Sequence, residues 1–564
     1  MLKTLKLVVI WVLVASAHQR GNNHKMDCTK RERLHAVRDG ILQARDWHAN
    51  ERASRPSVAE WYAGRSVFIT GGSGFLGRVL IELLLRSCPD IGPIYLLMRS
   101  KKGVDPKDRL GVLLDVPLFD RLRAEQPAAL SKVRTVPGDI EAPSLGLSDA
   151  DRQLLCAEVS VVFHVAASVR FDDPLQKALR TNLQSTKDIV QLARDMPRLK
   201  VLVHVSTAYS YTNQNPIEEH VYSNTLDWRR ALQLAELPAK DQKAIDFLGP
   251  KLRGPQPNTY TFTKGLAEHL VQEASRDLPI IIVRPSIVVT SHSDPLPGWI
   301  DNLNGAAGIV VANLKGVMRY VNVNLDMALD SVPVDVATKL IVLASWSKGL
   351  GLQLSDEQVD VVNATVGTDF GLNFSEAAHL QHKHGVDYKV PYPGSLRPPS
   401  LRYEPCPVLY ALLHFYHHLV FAFVVDLLAR ALGQKPRALG LYRKLAIGMQ
   451  SIAPFMREFT FIMKNQRTLQ EMIHPSDLKT LDFLEIYNGR DSEEQMVATM
   501  VNQMRGVLLY TLKEEFNVEK NSARLRRLGW VLRAYHSVMA LLFFGIVAVL
   551  YKVISYSGDA ARWT

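Results

Sequence analysis

The chain has 564 residues, 47% of them apolar and 22% charged, and its 67 Lys and Arg against 56 Asp and Glu give a net charge of +11 at pH 7. This composition excludes a disordered, collagen-like or coiled-coil protein, and the length allows about three or four domains. Four widely separated cysteines exclude a disulfide scaffold and a cysteine-based zinc site. We expect no nucleic-acid partner, because the sequence has no long run of Lys or Arg. A membrane surface or an anionic cofactor accounts better for the mild positive charge.

The N-terminus is similar to a targeting segment. Lys3 and Lys6 precede an apolar run over residues 7–14, which is followed by the small residues 15–17. This order is typical of a secretory signal peptide, and an N-terminal anchor explains it equally well. We therefore separate a signal-like or anchor segment, residues 1–17, from an N-terminal extension, residues 18–56.

A glycine-rich turn follows the first predicted strand. Residues 66–70 form a β-branched run that leads into Gly71, Gly74 and Gly77, and an apolar helical stretch follows over residues 78–86. Between a strand and a helix, glycines at this spacing allow a tight turn and the close approach of a pyrophosphate to the helix N-terminus. The segment therefore predicts a dinucleotide-binding fold.

The second predicted strand, residues 94–98, ends at Arg99. An enzyme that uses NAD usually carries an acidic residue at this point, where it binds the ribose hydroxyls. A guanidinium instead suits the 2′-phosphate of NADPH, with which it forms charge-assisted hydrogen bonds. We therefore predict NADPH as the cofactor.

Strand-like and helical stretches continue to alternate along the first half of the chain. Four further runs are typical of buried strands, namely residues 133–136, 159–165, 201–205 and 280–283. Helical stretches such as residues 174–193 separate them, and this alternation predicts an α/β fold with a doubly wound parallel sheet. Asp139, Ile140 and Ala166 follow the carboxyl ends of two strands, where such sheets bind their ligands.

Tyr260 and Lys264 are four residues apart in a predicted helix and therefore share one face of it. Because a nearby ammonium favours phenolate, we expect Lys264 to lower the pKa of Tyr260 from about 10 toward working pH. Tyr260 would then protonate a carbonyl oxygen as hydride arrives from a nicotinamide, while Lys264 holds the nicotinamide ribose. Ser206 and Thr207 follow a predicted strand, and we expect Thr207, with Ser206 as the alternative, to polarise the carbonyl.

Together, these motifs and the segment 284–286 resemble an extended short-chain dehydrogenase/reductase. A narrower similarity, to the alcohol-forming fatty acyl-CoA reductases and especially those of insects, lies in residues 62–77, 164–172, 204–209 and 260–264. The resemblance implies a Rossmann reductase domain, a helical C-terminal domain and two NADPH-dependent hydride transfers. These would convert a long-chain acyl-CoA through an aldehyde to a primary alcohol, with release of CoA. It also implies that Tyr260 and Thr207 stabilise the tetrahedral oxyanion.

The motifs and the resemblance together assign the cofactor contacts and the domains. The expected cofactor contacts are Thr70, Gly71, Ser73, Gly74, Phe75, Leu76, Gly77, Arg99, Asp139, Ile140, Ala166, Lys264, Pro285, Ser286 and Ile287. The expected units are an extended Rossmann reductase domain over residues 57–390, a Pro-rich linker over 391–407, a helical C-terminal domain over 408–530 and a transmembrane helix over 534–554.

The C-terminal end predicts a membrane anchor. From Ala534 to Tyr551 the sequence has no Asp, Glu, Lys or Arg, and four arginines between residues 524 and 533 precede this stretch. A basic flank favours the cytosolic side of a membrane. We therefore expect membrane lipid as a partner and a body that faces the cytosol, on the endoplasmic reticulum or the peroxisome.

A second apolar stretch, residues 408–428, contains His414, His417, His418 and Asp426. These residues make a full membrane span costly, so an amphipathic or hairpin membrane contact and a buried helix both remain open. The histidines have a spacing that occurs in membrane di-iron desaturases, but only one such box is present. A metal site needs several ligands in one place, and we predict none here.

Other functions fit the same fold. A membrane-bound hydroxysteroid or sugar-nucleotide reductase would share the glycine turn and the Tyr260–Lys264 pair, and a catalytically inactive scaffold would share the fold alone. Asn363 and Asn373 begin glycosylation sequons, and a cytosolic body predicts that neither carries a glycan.

Overall fold

The computed structural model describes residues 28–100, 103–367, 371–488, 492–514 and 517–560. The signal-like or anchor segment predicted over residues 1–17 lies outside the described residues, as does the first part of the predicted N-terminal extension.

The described strands form one large sheet and two small ones. They are β1 Ser66–Thr70, β2 Ile94–Met98, β3 Val133–Pro137, β4 Val159–His164, β5 Val201–Val205, β6 Ile280–Pro285, β7 Ile287–Val289, β8 Tyr320–Asn322, β9 Ser331–Pro333, β10 Asp360–Ala364 and β11 Arg402–Glu404. Seven strands form a parallel sheet in the order β10-β6-β5-β4-β1-β2-β3. The chain changes direction across the sheet between β1 and β4, which places a crevice at their carboxyl ends. The predicted doubly wound parallel sheet is confirmed.

Helices cover both faces of this sheet and make up most of the C-terminal half. Their bounds are Cys28–Trp47, Ala49–Ser54, Val58–Tyr62, Phe75–Ser87, Pro106–Leu114, Asp120–Glu125, Asp149–Glu158, Leu175–Ala178, Ser185–Arg194, Trp228–Glu236, Gln242–Arg253, Thr259–Ala274, Ala306–Leu314, Val334–Gly349, Phe374–Lys383, Val386–Lys389, Pro407–His414, Phe421–Ala431, Ala438–Ile452, Lys464–Glu471, Leu478–Leu481, Glu493–Gly506 and Val518–Ala560. Three π-helical segments, Leu179–Gln184, Phe415–Val420 and Val507–Thr511, adjoin some of them.

Alternate residues of the central strands pack on opposite faces of the sheet. On one face, Val67 of β1 joins a core with the helices Phe75–Ser87 and Val334–Gly349. On the other face, Phe68 joins a core that includes the helix Thr259–Ala274. Burial of apolar side chains on this second face fixes that helix, which carries both Tyr260 and Lys264, near the carboxyl end of β5.

The Pro-rich segment 391–407, which was expected to be a linker, is an ordered part of the body. It contains β11, and its residues Ser395 and Arg397 are buried. The Ser395 hydroxyl donates to the carbonyl of Leu314 at 2.7 Å, and the Arg397 guanidinium donates to the carbonyl of His417 at 2.9 Å. These contacts tie the segment to elements on both sides of it in the sequence.

The described part of the N-terminal extension packs against the C-terminal half. Its helix Cys28–Trp47 buries Ile41 in a small cluster with Leu484. Arg45 forms two hydrogen bonds with the carboxylate of Asp482, at 2.9 and 3.0 Å. The extension is therefore integrated into the folded body.

Within the described part of the chain, two helical runs are long and apolar enough to cross a membrane, Pro407–Ala431 and Val518–Lys552. The second is part of the continuous helix Val518–Ala560, which contains the predicted transmembrane segment 534–554. Its large apolar side chains between residues 541 and 551 are exposed, with Leu541 at 72%. Exposed apolar surface of this extent is consistent with membrane association.

Candidate active site

The turn after β1 has the shape that a phosphate-binding glycine turn requires. Gly71 adopts φ +79°, and a Cβ atom on it would lie 2.6 Å from the backbone nitrogen of Ala166. A Cβ atom on Gly77 would lie 2.3 Å from the carbonyl oxygen of Gly71. Gly74 caps the N-terminus of the helix Phe75–Ser87, so free backbone N–H groups of its first turn lie beside the turn. Only glycine fits at positions 71 and 77.

We expect Gly77→Ala to abolish nucleotide binding, because the new methyl group would push the helix away from the turn. Titration of the full-length protein with NADPH, followed by nucleotide fluorescence, measures the effect. Gly111→Ala is the matched control, since a Cβ atom there meets no atom within 4 Å in the helix Pro106–Leu114. That variant should bind normally and gain about 0.5–1 kcal/mol in stability. Equal binding by both variants would contradict the assignment of the turn.

A cavity of about 330 Å³ opens next to this turn, at the crevice between β1 and β4. Of the residues predicted to bind the cofactor, it is lined by Gly71, Ser73, Arg99, Asp139, Ile140 and Ala166. Five polar residues that the sequence did not single out also line it, namely Arg109, Glu141, Ser168, Lys177 and Thr181. The predicted strand-end residues therefore converge on one crevice.

Two arginines lie at the far end of the cavity. The Arg99 guanidinium is half-exposed and lies 3.4 Å from the carboxylate of Asp139. Arg109, in the helix Pro106–Leu114, donates a hydrogen bond to the backbone carbonyl of Arg99. Arg109 therefore adds a second guanidinium beside Arg99, where the sequence had indicated Arg99 as the one cation.

Lys264 is buried and donates a hydrogen bond from Nζ to the carbonyl of Val205 at 2.7 Å. Burial lowers the pKa of Lys264 to about 8, while the carboxylate of Glu268 opposes the shift. The ammonium is therefore fixed at the carboxyl end of β5, and it is lost when the pH rises above about 8.

Tyr260 lies one helical turn before Lys264. Burial raises the pKa of Tyr260 to about 12, and a hydrogen bond with the Thr207 hydroxyl opposes the rise. The prediction that Lys264 lowers this pKa toward working pH is therefore wrong, because the Lys264 ammonium is held by Val205 and desolvation of the phenolate dominates. Tyr260 is a neutral phenol at pH 7, which is the form that donates a proton.

The two hydroxyl residues after β5 have different surroundings. Thr207 interacts with Tyr260 and also accepts a hydrogen bond from the backbone N–H of Tyr209 at 3.3 Å. The Ser206 hydroxyl forms a hydrogen bond with the Ser210 hydroxyl, with 3.0 Å between the two oxygens. This geometry favours Thr207 over Ser206 as the partner of Tyr260.

Asn182, which the sequence did not indicate, connects the cavity to the helix Thr259–Ala274. Its Oδ1 accepts the backbone N–H of Ser168 at 2.8 Å, and its Nδ2 donates to the Thr263 hydroxyl at 3.0 Å. Asn182 lies in the π-helical segment Leu179–Gln184, whereas the sequence predicted an ordinary helix over residues 174–193. The side chain holds a cavity-lining loop at a fixed distance from Tyr260 and Lys264.

Several residues predicted to contact the cofactor do not line the cavity. These are Thr70, Gly74, Phe75, Leu76, Gly77, Lys264, Pro285, Ser286 and Ile287. Thr70 is fully buried, and its hydroxyl lies 2.8 Å from Nδ1 of His164. Ser286 donates to the buried carboxylate of Asp330 at 2.5 Å. Gly74 and Gly77 belong to the turn itself, and direct contacts from the other residues stay predictions.

An aromatic cluster borders Tyr260. The ring of Phe171 lies 6.0 Å from that of Tyr260 and 5.2 Å from that of Phe455. Phe455 and Phe459 also pack edge-on against Tyr209, at 5.3 Å each. The C-terminal half therefore supplies an apolar wall to the site, which is suited to an aliphatic substrate.

The histidines at 414, 417 and 418 are used in packing. Nε2 of His418 accepts the backbone N–H of Arg319 at 2.9 Å, and His414 packs against the ring of Tyr442. In the part of the chain that the structure describes, no group of three or more His, Cys, Asp or Glu residues is arranged to hold a metal ion.

The glycine cradle, the cavity with its two arginines and the fixed Lys264 together fit a nicotinamide dinucleotide. The pyrophosphate would lie at the start of the helix Phe75–Ser87, where free N–H groups and the helix dipole favour an anion. The nicotinamide end would lie toward Tyr260, which together with Thr207 presents two hydroxyls to a carbonyl oxygen. This arrangement is chemically suited to reduction of a carbonyl group.

Comparisons with known proteins agree with this chemistry. The model of the family described as "Male sterility protein", an NAD-binding family, matches residues 69–341. The chain is 33% identical to "Fatty acyl-CoA reductase 1" of Gallus gallus over 518 residues, which covers 89% of this chain and 98% of that protein. It is 32% identical to "Fatty acyl-CoA reductase wat" of Drosophila melanogaster, with 86% and 91% covered.

A solved structure, the terminal R domain from the myxalamid PKS-NRPS biosynthetic pathway, is 21% identical, with 80% of this chain and 93% of that chain covered and a TM-score of 0.49. The similarity to the sequence relatives extends over both the sheet domain and the helical C-terminal half. The resemblance inferred from the motifs is confirmed, and this chain is an oxidoreductase of the fatty acyl-CoA reductase family.

Proposed function

We propose that the protein reduces long-chain fatty acyl-CoA to the primary fatty alcohol and releases CoA, with NADPH as the reductant. The observation that carries the proposal is the position of Tyr260, between the Thr207 hydroxyl and the aromatic wall formed by Phe171 and Phe455. This position brings a proton donor, a second hydroxyl and an apolar surface together at one point. The names of the relatives supply the substrate class.

The reaction consumes one thioester, two NADPH and two protons, and it yields one alcohol, one CoA thiol and two NADP⁺. Bound nicotinamide supplies a hydride in each of the two rounds. In the first, the hydroxyls of Tyr260 and Thr207 bind the thioester carbonyl oxygen and stabilise the negative charge that develops on it. The C–S bond then breaks, and the sulfur leaves as thiolate and takes up a proton. In the second, Tyr260 gives its proton to the alkoxide that forms from the aldehyde.

Lys264 acts through position and charge. Its ammonium is anchored on the Val205 carbonyl and would bind the ribose hydroxyls of the nicotinamide nucleotide. Since desolvation lowers its pKa to about 8, the charged form predominates at neutral pH. The neutral Tyr260 phenol and the charged Lys264 ammonium are thus both in the required states at pH 7.

The test is product formation by membranes that contain the full chain, supplied with C16 to C24 acyl-CoA and NADPH. The expected products are primary alcohol and free CoA in equal amounts. Conversion of a hydroxysteroid or a sugar nucleotide in place of acyl-CoA would support the alternative reductase. Nucleotide binding without turnover of any of these substrates would support a non-catalytic protein.

We infer that Arg99 and Arg109 select NADPH over NADH. Each guanidinium would form charge-assisted hydrogen bonds with the 2′-phosphate, worth about 1.5–3 kcal/mol, or about 10- to 100-fold in affinity. Arg99→Ala is therefore expected to raise the Kd for NADPH by that factor and to leave the Kd for NADH nearly unchanged. Lys107→Ala, an exposed change in the same helix as Arg109, is the control and should alter neither constant. An equal loss for both nucleotides would contradict the inference.

We propose that the body faces the cytosol and is held on the endoplasmic reticulum or peroxisome membrane, with membrane lipid as a partner. Asn363 of one sequon is fully buried in β10, and its Nδ2 donates to the carbonyls of Ile217 and Ile462. The half-buried Asn373 is therefore the better reporter of lumenal exposure. A mass shift at Asn373 that glycosidase removes would overturn the cytosolic assignment.

We propose the three main units that the sequence indicates, with the reductase domain over residues 57–390, the helical domain over 408–530 and the membrane helix over 534–554. The hydrogen bond from Asn363 Nδ2 in β10 to the Ile462 carbonyl at 2.8 Å supports a close contact between the first two units, and segment 391–407 contacts both of them.

A further inference from the structure

A second, narrow groove lies between the helical run Pro407–Ala431 and the helix Ala438–Ile452. Apart from the edge supplied by Arg397 and two histidines, its lining is apolar or aromatic, and residues such as Met318, Phe421 and Val425 form its walls. A groove of this composition cannot favour a charged or strongly polar ligand, and it suits an aliphatic chain.

The helix Ala438–Ile452 lines the groove with one stripe of its surface. Leu441, Leu445 and Met449 are spaced four residues apart and all face the groove. Ile447 lies on the opposite side of the same helix and is 60% exposed. No residue of this helix is fully buried. Leu445 and Met449 are partly buried against a small core cluster that includes Met318, and Met318 also lines the groove.

This helix connects the groove to the active site. It runs directly into the short turn Ala453–Phe455, and the Phe455 ring is in contact with Phe171, which is in contact with Tyr260. The distance along a helix from Leu441 to Phe455 is about 21 Å at 1.5 Å per residue. A lipid chain that fills one leaflet is about 15 Å long, half of the hydrocarbon core. The stretch of helix between Leu441 and Phe455 is therefore long enough to line a long acyl chain.

The outer side of the groove is a surface suited to lipid. In the run Pro407–Ala431, Val408, Leu412 and Phe423 are each more than half exposed. Asp426 of the same run is buried and faces the protein, and its carboxylate accepts the backbone N–H groups of residues 437, 438 and 439 at 2.8–3.0 Å. An apolar outer stripe with a satisfied polar inner face is what a helix in a membrane surface requires.

The same surface adjoins the helix that continues into the C-terminal apolar segment. Tyr416 Oη lies 3.0 Å from Nδ1 of His536, and the rings of Phe421 and Tyr535 are in edge contact. Basic residues lie at the end of the run, at 430, and after it, at 435, 437, 443 and 444, where anionic lipid headgroups would complement their charge. The groove therefore opens beside the membrane-associated part of the chain.

We propose that this groove holds the aliphatic tail of the acyl substrate, which slides in from the membrane leaflet between the run Pro407–Ala431 and the helix Ala438–Ile452. The inference rests on the proposed reductase function and assigns the site that measures chain length. The tail then lies along the helix Ala438–Ile452, and the thioester reaches Tyr260 near Phe455, while the CoA moiety remains in water.

The test fills the groove in the full-length protein, reconstituted in vesicles of phosphatidylcholine and phosphatidylserine. Met449→Trp and Leu445→Trp place an indole on the inner stripe, and Ile447→Trp places one on the outer face as the matched control. We measure kcat/KM for C8 and C16 acyl-CoA. The ratio of C16 to C8 activity should fall at least about tenfold for the inner variants. It should stay at the wild-type value for the control.

A second measurement does not depend on turnover or on the folding of a variant. Palmitoyl-CoA with a diazirine near its methyl end is photolysed on the wild-type protein in the same vesicles, and labelled peptides are identified. Labels at Leu441, Leu445 or Met449 are expected. Labels confined to other segments, or an unchanged C16 to C8 ratio in both inner variants, would overturn the groove assignment. Failure of the wild type to reduce either acyl-CoA would instead contradict the proposed reaction, and the labels would still test the groove.

Discussion

Replacing Tyr260 with phenylalanine is expected to lower kcat/KM by about 10²- to 10⁴-fold, because the change removes the proton donor and one of the two hydroxyls that bind the carbonyl oxygen. The aromatic contact with Phe171 would persist, since the ring remains. Alcohol formation from palmitoyl-CoA and NADPH measures the effect. Tyr388→Phe, at an exposed position, is the control and should keep full activity.

The pH profile separates the roles of Tyr260 and Lys264. Because the pKa of Tyr260 is about 12, the phenol stays protonated and does not limit activity below pH 10. Because the pKa of Lys264 is about 8, its charge is lost as the pH rises, and kcat/KM should fall above pH 8. The residual activity of Tyr260→Phe should fall at the same pH. Loss of this decline in Tyr260→Phe, or full activity in that variant, would contradict the assigned roles.

Glu268→Ala is expected to destabilise the protein by about 3–5 kcal/mol, because it leaves the Arg284 guanidinium buried without its anion. The pair is fully buried behind the site, with Glu268 accepting hydrogen bonds from Nε at 3.0 Å and Nη2 at 2.6 Å. Glu268 is also the residue one turn after Lys264, so the loss would loosen the catalytic helix. Urea unfolding of the solubilised full chain, followed by tryptophan fluorescence, measures the change.

Asp277→Ala is the matched control for this prediction. Asp277 follows the same helix and pairs with Arg194, but both side chains of that pair are about half exposed. Exposed pairs contribute about 0–1 kcal/mol, so this variant should unfold close to the wild-type urea concentration. If the two variants were equally stable, the buried pair would not be a major source of stability.

The strands and the glycine turn could be predicted because their signals are local. Most of the six predicted strands are short apolar runs, as expected for strands that are buried on both faces of a parallel sheet. The seventh strand, β10, was not predicted from the sequence, because it contains Asp360 and Asn363, which are polar residues atypical of a buried strand. Their polar groups are satisfied by partners from distant segments, such as Lys348 and Ile217, and no local pattern reveals such partners.

The sequence was sufficient to predict which residues form the site. It was not sufficient to predict the direction of the Tyr260 pKa shift. Tyr260, Lys264 and Thr207 come together as expected, but the direction of the Tyr260 pKa shift depends on burial, which the spacing of two residues does not report. Arg109 and Phe455 were not predicted as site residues, for a related reason. Each lies in a helical segment whose position depends on tertiary packing, so neither carries a sequence signal of its own.

The helix Val518–Ala560 has 43 residues, or about 65 Å of unbroken rod. A hydrocarbon core of about 30 Å accommodates about 20 of them. The earlier part is fastened to the body, where the Asn521 amide donates to the Pro391 carbonyl at 3.1 Å and Leu525 is buried. In the proposed membrane arrangement, this one continuous helix would set both the tilt and the rotation of the enzyme on the bilayer. In this orientation, the protein would encounter its lipid substrate by lateral diffusion within the leaflet. The encounter rate would therefore be that of diffusion in two dimensions.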